Sequence, residues 1–494
     1  MDVQARVLSL GRSAAFGSIA VFVVAFLLRL VPVLVRSGLL FLDRYDDGVY
    51  YASADALTFG WVPYADFVLL HPPGITLALV PFAVLGRLTT DTAGFEAARV
   101  AFMALGALNA VLVFHIGRRW GAAVGLIAGL GYAALWPAAY SERTMTLETL
   151  GGTAVLAAVL LLVRHRPERS GWRLVAVGAL LGAACCVKLW YLVPAAVMAG
   201  WVALAWSRRS AGGRLARMLG GGAAAVLVIA GPLALLAHES MWRMVVLDQV
   251  RRTGSSVALW PRVPVILGSG RSMALGVDAF GVVVTVIVAV VVIVAAAACL
   301  VEPSTRPLVV WLTVGVAVVL ATPVFYTHYA VFVSAPEALV VAIGVTRLAR
   351  TRSLGRAVVA GGLAVVVILS AAYTAVGPIG GRFPGPELAD GAPEGCVTSD
   401  SPALLAMMDR LSADLRQGCP MPVDIGGLYL DMRQPRHGEY QARLLDYLSS
   451  GAAFVLAPQT FANETPQTRR TLESRPVLAE VDDFVLRAGD ASAP

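Results

Sequence analysis

Two adjacent carboxylates, Asp46 and Asp47, carry the strongest signal for chemistry in this sequence. They follow the first long apolar segment, in the stretch FLDRYDDGVYY that begins at Phe41. Neighbouring carboxylates repel each other, and a carboxylate at a dry membrane boundary can act as a general base. The alternative is that charged and aromatic residues after a membrane span anchor it at the interface. We predict that Asp46 is a catalytic base, that Asp47 positions it, and that Tyr50 binds substrate.

A second set of residues is suited to holding an anion. Arginines on the outer side of a membrane run against the usual charge bias, so they need another partner, and a phosphate is the natural one. Lys188 is the only lysine among the 39 Lys and Arg residues, and the alternative for it is a snorkelling anchor. We assign phosphate binding to Lys188, Arg143, Arg251, Arg252 and His71.

Further polar residues occur in two stretches that we expect on the same outer side. The first stretch, YSERTMTLE, contains Glu142 and Glu148, which would otherwise be ordinary helix-terminus charges. The second, FYTHYAVF, contains His328 and Tyr329, for which interfacial hydrogen bonding is the alternative. We assign all four to substrate binding. A divalent ion, Mg²⁺ or Mn²⁺, between Asp46 and Glu142 could help to neutralise a phosphate, but no ligand spacing requires one, so no cofactor is certain.

The elements that must position these residues are membrane helices. The 494 residues are 58% hydrophobic and only 14% charged, against roughly 25% charged in soluble domains. The net charge of +7 lies in short clusters between apolar runs, which argues against a nucleic-acid partner. Segments of about 20 apolar residues can cross a bilayer. We predict about 11 spans, near 14–36, 97–117, 121–139, 147–163, 174–189, 190–207, 218–237, 279–300, 307–323, 330–346 and 357–378.

The distribution of arginine predicts the orientation of these spans. With the N-terminus inside, the cytoplasmic segments are rich in arginine and poor in carboxylates, as the positive-inside rule requires. The first outer loop, 37–96, the 140–146 turn and the 238–275 loop then lie outside. The apolar run from Pro72 to Leu85 is too short to cross, so we predict a re-entrant or interfacial segment.

The composition changes after residue 378. A segment rich in proline and glycine is followed by about a hundred residues of ordinary polarity, with alternating strand and helix patterns. We therefore divide the chain into a membrane domain, 1–378, and a small extracytoplasmic α/β domain, 379–494. Cys396 and Cys419 stand apart from the three cysteines in apolar runs. We predict that they form a disulfide in an oxidising compartment.

The arrangement resembles the GT-C superfamily of membrane glycosyltransferases, which use sugars carried on polyprenyl phosphates. The resemblance covers about 41–345 and rests on DDGVYY, HPPG, YSERTMTLE, VKLWYLVP and HYAVFVSAPEAL. The core is similar to those of protein mannosyltransferases and aminoarabinose transferases. The family's catalytic aspartate maps to Asp46, and Asp47 replaces the usual glutamate, as in the DD pair of actinobacterial arabinofuranosyltransferases.

The resemblance implies a transferase on the outer face of a bacterial inner membrane. Such an enzyme would move a sugar, most simply an arabinofuranosyl or mannosyl group, from a polyprenyl-phosphate donor to a glycan or glycolipid acceptor of the cell envelope. The transfer would invert the anomeric centre, with an aspartate as base. The rival class is a non-enzymatic transporter or lipid flippase. That class usually carries charges within its spans, whereas here the polar residues gather at one boundary and Arg29 is an exception.

Overall fold

The structure is a computed structural model of the 494-residue chain. It describes residues 3–164, 171–204, 211–252, 257–270, 279–350, 372, 379–431, 437–458 and 463–490. The last predicted span, 357–378, lies outside the described residues.

The described chain is mostly helical. In chain order, the α-helices are Val3–Arg36, Asp46–Thr58, Gly74–Leu88, Asp91–Gly117, Ala122–Ala134, Trp136–Ser141, Leu147–Arg164, Gly171–Cys185, Leu192–Leu204, Ala211–Ile229, Gly231–Trp242, Asp248–Val250, Leu259–Ile266, Ala279–Leu300, Arg306–Ala321, Val331–Leu348, Gly385–Ala389, Pro402–Met407, Leu411–Gln417, Ile425–Asp431, His437–Ser449 and Pro466–Glu473. Three 3₁₀ turns, Arg118–Trp120, Leu189–Tyr191 and Thr327–Ala330, and one π-helical turn, Arg243–Leu247, extend neighbouring helices.

Six of the described helices are long and apolar enough to cross a membrane. They are Ala14–Arg36, Asp91–Trp120, Leu147–Arg164, Ala211–Ile229, Gly281–Leu300 and Thr327–Leu348. Five shorter apolar helices accompany them, at Gly74–Leu88, Ala122–Ala134, Gly171–Cys185, Leu189–Leu204 and Arg306–Ala321. The chain is therefore a multi-pass membrane protein, in which ten of the predicted spans overlap an apolar helix.

Two predicted spans differ from the helices in their extent. The segment predicted at 121–139 is interrupted at Leu135, whose extended backbone, with ψ 115°, separates two helices. Pro137 then lies in the first turn of the second helix, where its missing N–H costs no hydrogen bond. The segment predicted at 218–237 is divided between helices that meet at residue 230, and Ala237 has non-helical dihedrals.

The described chain forms two compact units, of which the first comprises residues 1–32, 102–228 and 253–378. Its core packs aromatic and aliphatic side chains from most of its helices, among them Phe114, Tyr132, Trp136 and Trp311. Helices Gly171–Cys185 and Ala211–Ile229 approach backbone to backbone in this unit. A Cβ added at Gly221 would overlap the carbonyl oxygen of Val175, so only glycine permits this approach.

The second unit comprises residues 33–101, 229–252 and 379–494. Its four-stranded sheet contains β1 (Val397–Ser399), β2 (Ala453–Val455), β3 (Val477–Val481) and β4 (Phe484–Ala488), in the order β1-β2-β4-β3. β1 and β2 are parallel, and the other two pairings are antiparallel. Helix His437–Ser449 packs on the sheet through Tyr440, Leu444 and Leu448. Helices and a mixed sheet thus occupy the region for which the sequence predicts an α/β fold.

A disulfide and a serine tie the C-terminal segment together within this unit. Cys396 and Cys419, the pair singled out in the sequence, are joined by a disulfide with a Cα–Cα distance of 5.7 Å. The hydroxyl of Ser412 donates to carboxylate oxygens of Asp55, at 2.9 Å, and Asp91, at 2.5 Å. The segment 379–494 and the first predicted outer loop therefore fold as parts of one unit.

Candidate active site

The acidic pair begins helix Asp46–Thr58, and its two members have different surroundings. Asp47 is 1% exposed, and its Oδ2 accepts hydrogen bonds from Arg99 Nε at 3.1 Å and Nη2 at 2.6 Å. Arg99 is itself stacked on the rings of Phe41 and Phe95. Burial raises the pKa of the Asp47 carboxyl, and the neighbouring guanidinium opposes that rise. Asp47 is thus fixed in place, which suits the positioning role predicted for it.

Asp46 is half-buried, and it lies close enough to a second carboxylate, Asp424, for its charge to act on it. Burial, reinforced by the negative charge of Asp46, raises the pKa of Asp424 to about 6, although hydrogen bonds and Arg252 oppose this. Asp424 Oδ1 accepts from the Gly427 amide at 2.7 Å and from the Tyr45 hydroxyl at 3.2 Å. The second unit therefore places two carboxylates within electrostatic range of each other, and the charge of Arg252 acts on one of them, Asp424.

Other residues predicted in this unit lie on the same loops. The Tyr50 ring, which is buried, contacts the His71 ring edge to face, with centroids 5.7 Å apart. The Tyr64 hydroxyl donates to the His71 carbonyl at 2.7 Å, and Gln249 Nε2 donates to the Leu70 carbonyl at 2.9 Å. Arg251, which is exposed, follows the short helix Asp248–Val250. These contacts order the His71 loop, and its assignment to phosphate remains a prediction.

Lys188 lies in the first unit, between helices Gly171–Cys185 and Leu192–Leu204, and its backbone is extended. Its Nζ is 2.5 Å from Glu148 Oε1, and both side chains are buried. The ammonium also lies over the rings of Trp190, at 4.3 Å, and Tyr329, at 4.1 Å. The structure thus brings three predicted residues together, Lys188, Glu148 and Tyr329. A phosphate would have to share or replace the Glu148 carboxylate.

Glu142 belongs to a separate network in the same unit. Its Oε2 accepts from Arg29, and its Oε1 accepts from the Tyr132 hydroxyl at 2.7 Å and from Asn109 Nδ2 at 3.0 Å. Both side chains of the Arg29–Glu142 ion pair have no solvent exposure. Because three protein side chains occupy both oxygens, Glu142 does not fit the predicted metal or substrate role. No group of three or more potential metal ligands occurs among the described residues.

The remaining predicted residues are placed by backbone and ring contacts. Arg143 is buried, and its Nη2 lies 3.4 Å from the Leu28 carbonyl. His328 is half-buried in the turn Thr327–Ala330, with its ring parallel to that of Tyr326. Arg262 lies in the 238–275 segment predicted to be outside, where an arginine runs against the usual charge bias. It donates to the carbonyls of Leu320, at 2.9 Å, and Thr322, at 2.6 Å. Arg262 therefore caps a helix C-terminus, where a cation is favoured.

Sequence reasoning missed three residues of the second unit, Tyr45, Arg99 and Asp424. Tyr45 directly precedes the acidic pair, and Arg99 lies in an apolar helical segment, where a charge indicates a buried partner. Asp424 gave no signal of its own, because the stretch MPVDIGG has no motif and lies far along the chain from Asp46. Only the fold brings it to the first outer loop.

Solved structures provide the comparisons with known proteins. ArnT from Cupriavidus metallidurans in the apo state is 17% identical, with a TM-score of 0.62 over 97% of this chain and 99% of that one. The same protein bound to undecaprenyl phosphate is 18% identical, with a TM-score of 0.56 over the same shares of the two chains. The oligosaccharyltransferase AglB from Archaeoglobus fulgidus, in complex with an inhibitory peptide and a dolichol-phosphate, is 12% identical, with a TM-score of 0.55 over 90% of this chain and 69% of that one. Neither a protein-family model nor a curated protein matches the sequence.

The similarity to these structures extends over nearly the whole chain, so it covers the apolar helices and the C-terminal segment alike. The chain therefore shares its fold with the solved ArnT and AglB structures.

Proposed function

We propose that this protein is a glycosyltransferase that takes a sugar from a polyprenyl-phosphate donor. The observation that carries the proposal is the placement of Asp46. It stands in the first turn of helix Asp46–Thr58, half-buried, and its charge acts on Asp424, a carboxylate that also interacts with the charge of Arg252. A base and a cation in one partly dry place are what transfer from a sugar phosphodiester needs.

The proposed reaction divides its tasks among the residues of this site. Asp46 takes the proton from the acceptor hydroxyl as that oxygen attacks the anomeric carbon of the sugar. The bond from that carbon to the phosphate oxygen breaks, and the electron pair leaves with the polyprenyl phosphate. Arg251 and Arg252 stabilise the negative charge that grows on the leaving phosphate. Attack opposite the leaving group inverts the anomeric centre.

The similar structures support the lipid part of the donor. ArnT was solved bound to undecaprenyl phosphate, and AglB in complex with a dolichol-phosphate and a peptide. Both ligands combine a long apolar chain with a phosphate, and we propose that this protein also uses such a carrier. The assignments of Lys188, Arg143 and His71 to the donor phosphate belong to the same proposal.

The finer features of the proposal come from the sequence motifs and the charge pattern. The Asp-Asp pair favours arabinofuranosyl or mannosyl transfer to a cell-envelope glycan or glycolipid. The arginine distribution favours the outer face of a bacterial inner membrane, with 379–494 outside. The rival function, a transporter or flippase, would need a charged path through the spans. The intramembrane charge of Arg29 is instead neutralised by Glu142 within a closed network.

A donor panel tests this function directly. The purified full-length protein would be incubated with polyprenyl-phosphate sugars, including arabinofuranosyl and mannosyl donors, and the released polyprenyl phosphate would be measured by mass spectrometry. We expect release from at least one donor and an increase when an acceptor glycan is added. The absence of release from every donor, with intact lipid moved across vesicles instead, would support the flippase.

A further inference from the structure

The first unit contains a large cavity that the proposed reaction does not use. Its volume is about 1300 Å³, larger than the roughly 300–1,000 Å³ of ordinary small-molecule pockets. Apolar side chains of helices Leu147–Arg164, Leu192–Leu204 and Arg306–Ala321, Trp201 among them, form most of its wall, and Trp120 of the turn Arg118–Trp120 completes it. An apolar space of this size between membrane helices is suited to hydrocarbon chains.

One end of this cavity is strongly basic. Arg119, Arg164 and Arg306 all line it, and all three are exposed. Within the described part of the chain, no carboxylate forms an ion pair with any of them, and Arg306 uses its Nε to donate to the Leu300 carbonyl at 2.9 Å. Three guanidinium groups at the mouth of an apolar cavity complement an amphiphile with an anionic head.

Neither Lys188 nor Glu148 lines the cavity, and its wall reaches toward them only through Leu192 and Val193, whereas its three arginines lie far from that pair. Glu148 lies in the first turn of helix Leu147–Arg164, and Arg164 ends the same 18-residue helix. At 1.5 Å per residue the helix is about 27 Å long, nearly the thickness of the hydrocarbon core. The arginines therefore lie near the opposite membrane boundary from Glu148, which the charge pattern predicts to be cytoplasmic.

We propose that this cavity binds an anionic phospholipid, with its phosphate on Arg119, Arg164 and Arg306 and its acyl chains between the helices. Basic pockets between membrane helices on the cytoplasmic side bind anionic lipid head groups in this way, and tryptophans line the level of the head groups. A zwitterionic lipid would bind more weakly, because the arginines would repel the cationic group of its head. The inference does not depend on the proposed transferase function.

Native mass spectrometry of the full-length protein in detergent, titrated with phosphatidylglycerol or phosphatidylcholine, tests the proposal. We expect phosphatidylglycerol to bind more tightly. We also expect the triple variant R119Q/R164Q/R306Q to lose about a hundredfold in affinity for it, because each arginine near an anionic surface contributes about a factor of five. Arg173→Gln removes a charge from another helix end and serves as the matched control, with unchanged binding. Competition by inorganic phosphate should be absent, since the acyl chains supply part of the affinity.

A second variant tests the apolar part without touching the arginines. Gly200 lines the cavity, and a Cβ there would meet no atom within 4 Å, so Gly200→Phe introduces a bulky side chain at an open position of the wall. It should prevent phosphatidylglycerol binding, while Gly220→Phe, at an equally open glycine outside the cavity, should not. Equal binding of the two lipids, wild-type binding by a folded Gly200→Phe protein, or displacement of phosphatidylglycerol by undecaprenyl phosphate would overturn the proposal.

Discussion

At the scale of residues, the proposed function depends most on Asp46, the proposed base. Asp47 is held by Arg99, whereas the charge of Asp46 acts on Asp424, which also interacts with the charge of Arg252. A base must be able to reach a substrate hydroxyl, and the half-buried residue meets that condition better than the one that is 1% exposed. The two aspartates are therefore expected to respond differently to substitution.

Asp46→Asn should lower turnover by about a hundredfold to ten-thousandfold, because loss of a general base typically has that effect. Donor binding and membrane insertion should persist, since asparagine is nearly isosteric. The measurement is the release of polyprenyl phosphate, with Asp390→Asn at an exposed site as the control. If Asp47→Asn is the inactive variant and Asp46→Asn is not, the base is Asp47; if both are active, this loop is not catalytic.

The titration of Asp424 should contribute to the pH dependence of the free energy of unfolding. The pKa of an aspartate is near 3.9 in an unfolded chain, and that of Asp424 is about 6 in the folded protein. The folded state therefore binds the proton more tightly, and stability falls as the pH rises from about 4 to 6, by roughly 3 kcal/mol at most. Asp424→Asn should remove this part of the decline.

The thermal unfolding midpoint, followed between pH 4 and pH 7 in detergent, measures this effect. Asp414 and Asp55 also have raised pKa values, of about 7, so the wild-type curve will continue to fall above pH 6. Only the difference between wild type and Asp424→Asn is informative. Parallel curves for the two proteins would show that the Asp424 carboxyl titrates in its ordinary range.

Lys188→Ala should lower stability as well as donor affinity. It leaves Glu148 buried without its cation, and breaking a buried ion pair from one side typically costs about 3–5 kcal/mol. The double variant K188M/E148Q removes both charges and should unfold close to the wild-type temperature. If Lys188 also contacts the donor phosphate, the double variant stays folded but binds donor about tenfold more weakly or worse. Normal donor affinity in that variant would leave Lys188 a structural role.

At the scale of elements, close approach between helices depends on where the glycines stand. Gly220 and Gly221 are adjacent in helix Ala211–Ile229, but only the second faces helix Gly171–Cys185. The sequence GGG in this helix gives no reason to separate them, because all of its members are equally small. Their positions around the helix axis decide which one touches a neighbour.

Gly221→Ala should destabilise the protein by about 1–3 kcal/mol, because the new methyl group would overlap the Val175 carbonyl and push the helices apart. Gly220→Ala meets nothing within 4 Å and should be neutral or stabilising by up to about 1 kcal/mol. Thermal unfolding of the two variants in detergent compares them directly. Equal midpoints would show that the two helices can separate without cost.

At the scale of the whole molecule, the disulfide bears on which side of the membrane the second unit faces. Disulfides persist in oxidising compartments, so the Cys396–Cys419 bond agrees with the outer position predicted for 379–494. Mass mapping of native membranes without reductant should find the bond. The variant C396S/C419S should lose about 2–5 kcal/mol of stability. Free thiols at both positions would contradict the predicted topology together with the bond.

The sequence by itself determined that this is a multi-pass membrane protein. Spans are visible in it because a bilayer requires long apolar runs with satisfied backbone groups, which is a local property of the chain. The acidic pair after the first span and the isolated cysteine pair are also local patterns. The two aspartates are adjacent in the sequence, and the two cysteines share one polar segment, so neither pair required the fold to be recognised.

Only the tertiary structure decided which polar groups meet. Asp424 reaches the first outer loop from far along the chain, and Glu142 is enclosed by Arg29, Asn109 and Tyr132 from other helices. Sequence patterns could not separate these two carboxylates from exposed ones, because burial and the approach of a countercharge depend on packing between distant segments. The same packing gave Arg262 a helix end to cap. Residue types therefore indicated which segments contain groups capable of catalysis, and the fold decided which of those side chains lie close enough to act together.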